Sequence, residues 1–539
     1  MSMPMPSLAS GLPKLREGED HQFVPLLNDQ PDSDSIEAGT QKHELSFPLH
    51  GQSGRRPSAV TFTSASSRAS SFQQLLVLVC TYLRPFWLAI RPRMLSPARK
   101  RRITSTSWLD GLRGVAAFIV VVYHNNLLIY FFKYKSCKAW QHNDPHLWRL
   151  PIFRLVCSGG AMVDIFFVVS GYALSYKPLT LARNRDFTKL NASITSSFFR
   201  RGIRLYLPVV FITFVNAILI YNEILDLPQI HAQKNFFLQV HYWLNDLTTG
   251  INPFTVDKYR TDNMLGLHYE AVTWTIPYEY RGSIVIFALL LTLARARPLS
   301  RFFILLSVVL YTIAVGQWDM FLFICGSLCC EVHHYMNQIK PVSIPTSATL
   351  PRPILNEKDT NPRRVRTVTR NVMSVWVVFC LLYVITIPDG HFGVGDTPFY
   401  GAISTIMPAS WNNLPDTGRF CTCVTAVLLV LFLGQSQLFR RALSSRFPQY
   451  LGDISFAIYI IHFSLIKTMG LPLLEAIRSC RKRISPQVPV DSGLGGWIIL
   501  FVYSLVALPV LFWLGDLTEK YIDKKSVTLA RWAETKLLE

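Results

Sequence analysis

Residues 111–125 read GLRGVAAFIVVVYHN, an apolar run with a cation near its start and an imidazole eleven residues later. A helix crossing lipid has no water to solvate either group, so both belong in a bundle interior, a wet cavity or a headgroup layer. At about 100° per residue, eleven residues turn through about 1100°, which is about 20° from whole turns. Arg113 and His124 therefore share one helix face, about 16 Å apart along its axis. Asp110 lies three residues before Arg113 and could pair with it. The plainer reading has Arg113 snorkelling to the membrane surface and His124 bonding a neighbouring backbone. His124 lies too deep to snorkel.

That run is one of ten. Apolar stretches recur at about 109–131, 161–177, 205–222, 268–293, 302–316, 319–335, 372–388, 420–434, 454–471 and 494–515, near the length of about 20 residues that spans a bilayer. The chain has 539 residues, 50% of them hydrophobic and only 16% charged, against about 25% charged in soluble domains. The pattern predicts an all-α fold, a polytopic transmembrane helix bundle of about ten spans.

The net charge of +20 could suit a nucleic-acid partner, but its distribution argues for topology instead. With the N-terminus inside, the short inside segments hold 25 Lys and Arg and the outside segments 13. Positive residues gather on the cytoplasmic side of membrane proteins, so both termini are expected in the cytoplasm, with the lipid bilayer as a partner and no nucleic acid. Segments 132–160 and 472–493 dissent, being outside yet basic.

Residues 1–105, rich in Ser, Pro and charge, include PSAVTFTSASSRASSF and have little to bury, as in a disordered tail. Within them, residues 72–90 suit an interfacial helix, because Arg84 and Pro85 interrupt the apolar run. The expected organisation is a tail to residue 105, a transmembrane domain over 106–516 and a cytoplasmic C-terminal tail over 517–539. Cysteine spacing suggests no zinc site, and no metal is expected. Cys137 and Cys157 share one outside loop and could form a disulfide.

Three further polar constellations interrupt the spans. In VDIFFVVSGYALSY (163–176), Asp164 opens the second span near the level of His124 and could orient that imidazole, or it could cap its own helix. In HYEAVTWTIPYEYRGSIVIF (268–287), Thr275, Glu279 and Ser283 fall on one face, with Arg281 on another. A buried Glu needs a partner or a proton. In SFAIYIIHFSLI (455–466), Ser455, Tyr459 and His462 form a polar stripe that suits either chemistry or interhelical bonding. The cluster Arg200, Arg201 and Arg204 fits the positive-inside pattern, and it also suits phosphates.

Together these residues resemble the acyltransferase 3 family of multi-pass membrane O-acyltransferases. The matches run in the family's order over about three quarters of the chain. LDGLRGVAAFIVVVYH resembles the first-span signature with its Arg-x10-His, and VDIFFVVSGYAL the second-span motif. RRGIRLY contains an Arg-x-x-Arg at Arg201 and Arg204. WTIPYE is similar to Trp-Ser/Thr-x-x-x-Glu, giving Trp274, Thr275 and Glu279, and SFAIYIIH to a late Ser-x-x-x-Tyr-x-x-His. Thr275 stands where Ser is common, EYRGS departs from the usual residues after the Glu, and the long Ser-rich tail resembles fungal or other eukaryotic members.

The resemblance implies transfer of an acyl group, often acetyl from acetyl-CoA, to a hydroxylated acceptor such as a glycan, lipid or secondary metabolite. Acyl-CoA would be a co-substrate, with no tightly bound cofactor. His124 would act as general base oriented by Asp164, and Arg113, Arg201 and Arg204 would bind the donor. Glu279, Tyr459 and His462 would assist proton transfer or line the acceptor path with Trp274, Thr275 and Ser455. A transporter or channel that uses the same intramembrane groups without covalent chemistry is the alternative, and an inactive scaffold a weaker one.

Overall fold

A computed structural model describes residues 103–134, 149–254, 267–339, 361–388, 397–411, 418–484 and 493–538, with residues 140, 142, 394 and 396 between them. The expected interfacial helix at 72–90 and Cys137 of the expected disulfide lie outside these residues.

The described residues form helices joined by turns, and no strand forms among them beyond two isolated bridges. In chain order the helices are α1 (Ser107–Tyr134), α2 (Gly159–Arg183), α3 (Phe187–Tyr221), α4 (Phe236–Gly250), α5 (Thr275–Thr292), α6 (Pro298–Ala314) and α7 (Trp318–Ile339). Then come α8 (Asn361–Ile385), a short α9 (Tyr400–Ser404), α10 (Arg419–Gln435), α11 (Gln437–Leu443), α12 (Arg446–Leu465), α13 (Leu471–Ile484), α14 (Gly493–Thr518) and α15 (Lys524–Leu538). Local signals set several starts. Asp186 caps α3 by accepting from the Lys189 amide at 3.1 Å, Asn235 caps α4 by accepting from the Leu238 amide at 2.8 Å, and Pro298 opens α6, where its missing N–H costs nothing.

Each of the ten expected segments falls on a helix, so the all-α bundle stands. Fewer are spans by length and hydropathy. Among the described residues, five helices are long and apolar enough to cross a membrane, or six if α10 and α11, bent by 96°, count as one. α6 has only 17 residues, and α5 and α7 carry Glu279, Arg281, Asp319 and Glu331 within their length. The protein is an integral membrane protein whose charged helices are sheltered by the apolar ones.

Three segments expected as loop or tail are helical. The segment 223–267 contains α4, whose Trp243 packs on Phe214 of α3. The basic segment 472–493 contains most of α13, with Arg481, Lys482 and Arg483 in its last turn. The C-terminal stretch 517–539 continues α14 through a π-helical turn, Glu519–Asp523, into α15. Helix α15 docks on α3, where Arg200 pairs with Glu534 at 3.2 Å. Its amphipathic period, with Ser526 and Ala530 buried and Trp532 exposed, is legible in the sequence but was masked by its polar composition.

Two crossings hold the bundle. At the first, α1 meets α12 through Gly114 and Gly452. A Cβ on Gly452 would stand 2.5 Å from the Asp110 carbonyl oxygen, and one on Gly114 2.5 Å from the Leu451 carbonyl carbon. At the second, α2 meets α7 through Gly171 and Gly326, where a Cβ on Gly326 would stand 2.7 Å from the Tyr172 amide nitrogen. Small residues permit such backbone approach where lipid gives no hydrophobic drive between helices.

Gly452→Ala forces α1 and α12 apart, because the atom in the way is backbone. Overpacking of this kind costs about 1–3 kcal/mol. The expected result is a clear fall in melting temperature of the purified protein in detergent, together with loss of activity. An unchanged melting temperature would contradict the packing described.

Candidate active site

The crossing at Gly452 brings α1 and α12 side by side, running in the same direction, and so joins the two motifs that lie furthest apart in sequence. Near their starts, Arg113 Nε donates to Ser455 Oγ at 3.1 Å and its Nη2 donates to the Gly452 carbonyl at 3.3 Å. Asp110 pairs with the same guanidinium at 3.3 Å, as its spacing predicted. Further along, the rings of His124 and His462 lie 5.1 Å apart. Phe463 packs edge-on to His124 at 5.8 Å.

Between these ends runs a column of polar side chains. Arg201 of α3 donates to Glu279 of α5 at 2.5 Å and to Ser283 at 2.9 Å. Ser170 of α2 donates to the same Glu279 oxygen at 2.6 Å. One helical turn before Glu279, Thr275 bonds the Tyr459 hydroxyl at 2.9 Å, which itself donates to the Val272 carbonyl at 2.7 Å. Thr275, Glu279 and Ser283 thus face one way, as their spacing predicted. Arg281 turns to α7, where it donates to Asp319 at 2.7 Å. Trp274 stays on the scaffold side, its ring edge-on to Tyr278 at 5.8 Å.

His462 is the most constrained group in the column. It is fully buried, and its Nδ1 lies 2.7 Å from the Tyr459 carbonyl and 3.1 Å from that of Ile458. Carbonyl oxygens only accept, so Nδ1 carries the hydrogen and Nε2 presents a lone pair. That Nε2 is buried with no hydrogen-bond partner, and so is Nδ1 of His124. Other buried side chains, such as Arg183, Arg281 and His333, also leave a polar atom without a hydrogen bond among the described residues. What sets these two apart is that they lie on neighbouring imidazoles, 5.1 Å apart.

Arg113 and Arg204 both stand close enough to Arg201 to repel it. Glu279 neutralises Arg201, and Asp110 neutralises Arg113. Arg204 makes no hydrogen bond or ion pair among the described residues. It is the cation of the three free to meet an anionic ligand.

Asp164 is placed differently from the expectation. It is fully buried, pairs with Arg419 of α10 at 3.0 Å and accepts from Thr422 at 2.8 Å. The Arg419 guanidinium lies 4.0 Å over the Trp318 ring. A carboxylate beside a fixed guanidinium is held there by that charge, and this pair joins α2 to α10. Sequence reading could not foresee this, because Arg419 lies about 255 residues away.

Glu270 was missed. It is fully buried just before the 3-10 turn Ala271–Trp274, and it accepts from Asn216 of α3 at 3.1 Å and from Ser464 of α12. Its carboxylate ties three elements together beside the histidines. The available signal was an acid within HYEAVTW, a stretch apolar enough to make any charge conspicuous.

With this geometry in view, comparison with known proteins is decisive. The family model of the acyltransferase 3 domain, described as an acyltransferase domain, matches residues 106–516. The chain belongs to the acyltransferase 3 family. It is an enzyme that transfers acyl groups. Among relatives, the O-acetyltransferase PaAT-1 of Phomopsis amygdali is 28% identical over 467 residues, covering 83% of this chain and 88% of that protein. Acyltransferase clz18 of Cochliobolus lunatus is 26% identical over 425 residues, covering 69% and 85%. Acyltransferase R4 of a Phoma strain is 26% identical over 413 residues, covering 68% and 84%. No solved structure matches this acyltransferase.

The two classes of buried charge separate by experiment. Asp164→Ala strands the Arg419 guanidinium, and breaking a buried pair in this way costs about 3–5 kcal/mol. The acyltransferase variant is expected to lose its monodisperse elution and melting transition, whereas His462→Ala keeps both. An Asp164→Ala protein that stays folded but inactive would return Asp164 to the reaction.

Proposed function

We propose that this acyltransferase moves an acyl group from acyl-CoA to a hydroxyl. Its Phomopsis relative, an O-acetyltransferase, favours acetyl as the group and oxygen as its destination. The observation that carries the reading is His462, whose Nδ1 bond to the Tyr459 carbonyl leaves Nε2 as a buried, unpartnered base beside a second imidazole.

An alcohol is a weak nucleophile at neutral pH and gains from losing its proton as it attacks. In the proposed step, His462 Nε2 takes the proton of the acceptor hydroxyl while the oxygen bonds to the thioester carbonyl carbon. Negative charge gathers on the carbonyl oxygen, where an N–H of His124 can donate to it. The carbon–sulfur bond then breaks, the carbonyl reforms, and the departing CoA thiolate takes the proton held on His462. Both histidines end as they began. This division gives the base role to His462 and the electrophilic role to His124, because only His462 has its tautomer fixed by backbone.

The arginines lie toward the other end of the column and suit the donor's phosphates. Arg204, without a partner among the described residues, is the first ligand, and Arg113 is a third exposed. The approximately 16 Å from Arg113 to His124 is bridged by the donor's long arm. Thr275, Tyr459 and the Arg201–Glu279 pair line that path, with their own bonds satisfied.

CoA release by the purified protein, given acetyl-CoA and a pool of hydroxylated acceptors, tests the reading. His462→Ala is expected to lower kcat by about 10²–10⁴-fold, and Arg204→Ala to raise KM for acetyl-CoA with a smaller effect on kcat. Release that persists in His462→Ala would remove the base assignment. Failure to bind any acyl-CoA would overturn the donor assignment.

A further inference from the structure

A cavity of about 140 Å³ lies between α1, the end of α12 and α14, with His462 in its wall. Two contacts bracket it. Phe118 stacks on Phe512 at 6.0 Å on the side toward Arg113, and Tyr503 donates to Asn125 at 2.7 Å on the far side. The cavity therefore sits beyond the histidines from the arginine cluster, where a donor held by Arg204 does not need to reach.

Its chemistry is narrow. Val121, Ile466, Met469, Ala507 and Leu508 give aliphatic walls. The amide nitrogens of the two carboxamides that line it are already committed. Asn125 Nδ2 donates to the Val121 carbonyl at 2.9 Å while its oxygen holds Tyr503, and Asn126 Nδ2 donates to the Val156 carbonyl at 3.3 Å. Half-buried Ser504 adds one hydroxyl. The fully buried polar atom left without a partner in this wall is His462 Nε2, an acceptor. A polyol entering here would strand several hydroxyls, and each unmet buried group is costly. An occupant with an apolar body and a single O–H satisfies the wall and delivers its proton to His462.

The backbone is built around this space. Where α12 would continue, residues Ile466–Gly470 form a π-helical turn, a feature that recurs at functional sites. Gly470 lets the Tyr503 ring close in, since a Cβ would stand 2.7 Å from its hydroxyl. The third wall is one helix thick. α14 turns Phe501 and Leu505 outward, 65% and 60% exposed, so its outer face meets lipid. A space of about 150 Å³ with aliphatic and aromatic walls holds a benzene-sized molecule, which sets the scale here as about six carbons.

We propose that this cavity receives the hydroxyl-bearing end of the acyl acceptor, and that the acceptor is an apolar alcohol drawn from the membrane rather than a sugar. The proposal rests on the acyl-CoA-to-hydroxyl reading above and adds its substrate class. Ala507, Met469 and Leu508 set which alcohols fit.

The test uses the full chain in detergent with acetyl-CoA, comparing cyclohexanol, 1-adamantanol and methyl glucoside as acceptors. Cyclohexanol is expected to support saturable CoA release and methyl glucoside to support none. Ala507→Leu fills the space and is expected to raise KM for cyclohexanol about tenfold or more, the scale of a methylene misfit in an apolar pocket, with KM for acetyl-CoA unchanged. If that variant does not fold, Met469→Ala takes its place and is expected to shift kcat/KM toward 1-adamantanol. A diazirine-bearing cyclohexanol, photolysed without acetyl-CoA, is expected to label α14 or the π-helical turn. Labelling there without CoA release from any acyl-CoA would overturn the donor reading and leave the alcohol site standing. Release with methyl glucoside as good as with cyclohexanol, labelling elsewhere, or a filled cavity that changes acyl-chain preference instead of acceptor KM would each overturn the cavity proposal.

Discussion

Two helices that touch backbone to backbone, α1 and α12, govern everything else in this protein. Their glycines at 114 and 452 leave no room for a Cβ, so the axes come close enough for Arg113 to reach Ser455 and for His124 to face His462. Because the helices run in the same direction, one crossing fixes both contacts at once. A wider crossing would keep the helices and lose both pairs.

Around that crossing the charges divide by purpose. Asp164 with Arg419, Arg281 with Asp319, and Glu331 with Arg183 and Arg301 are buried pairs that join α2 to α10, α5 to α7, and α7 to α2 and α6. Desolvating two charges offsets much of their attraction, so such pairs contribute little net stability while intact and cost a great deal when one partner is lost. Their value lies in register. The column from Arg113 to the histidines is different, because it ends in two facing imidazoles, 5.1 Å apart, rather than in an ion pair.

On the proposed reaction, this division would let one bundle bring an ionic donor and an apolar acceptor together. The arginines gather at the start of α1 and within α3, and the aliphatic cavity lies past His462 between α1 and α14. On that proposal the two substrates would approach the imidazoles from opposite ends, so neither would have to cross the other's chemistry. The π-helical turn Ile466–Gly470 borders that cavity without breaking the helix.

The sequence by itself determined the bundle, the family and the faces. Ten apolar stretches predicted helices and each fell on one, since hydropathy and period are local properties that burial rarely overrides. Spacing alone put Thr275, Glu279 and Ser283 on one side of α5, and Ser455, Tyr459 and His462 on one side of α12. Only tertiary structure decided which partner each group meets. Asp164 went to Arg419, Glu270 found Asn216 and Ser464, and the carbonyl of Tyr459 fixed the tautomer of His462. Likewise, charges tolerable inside a bundle, such as Glu279, Arg281, Asp319 and Glu331, lower the hydropathy of α5 and α7. Periodicity tells a side chain which way to face, but a buried charge or imidazole takes its role from whatever the fold sets opposite it, and that lies hundreds of residues away.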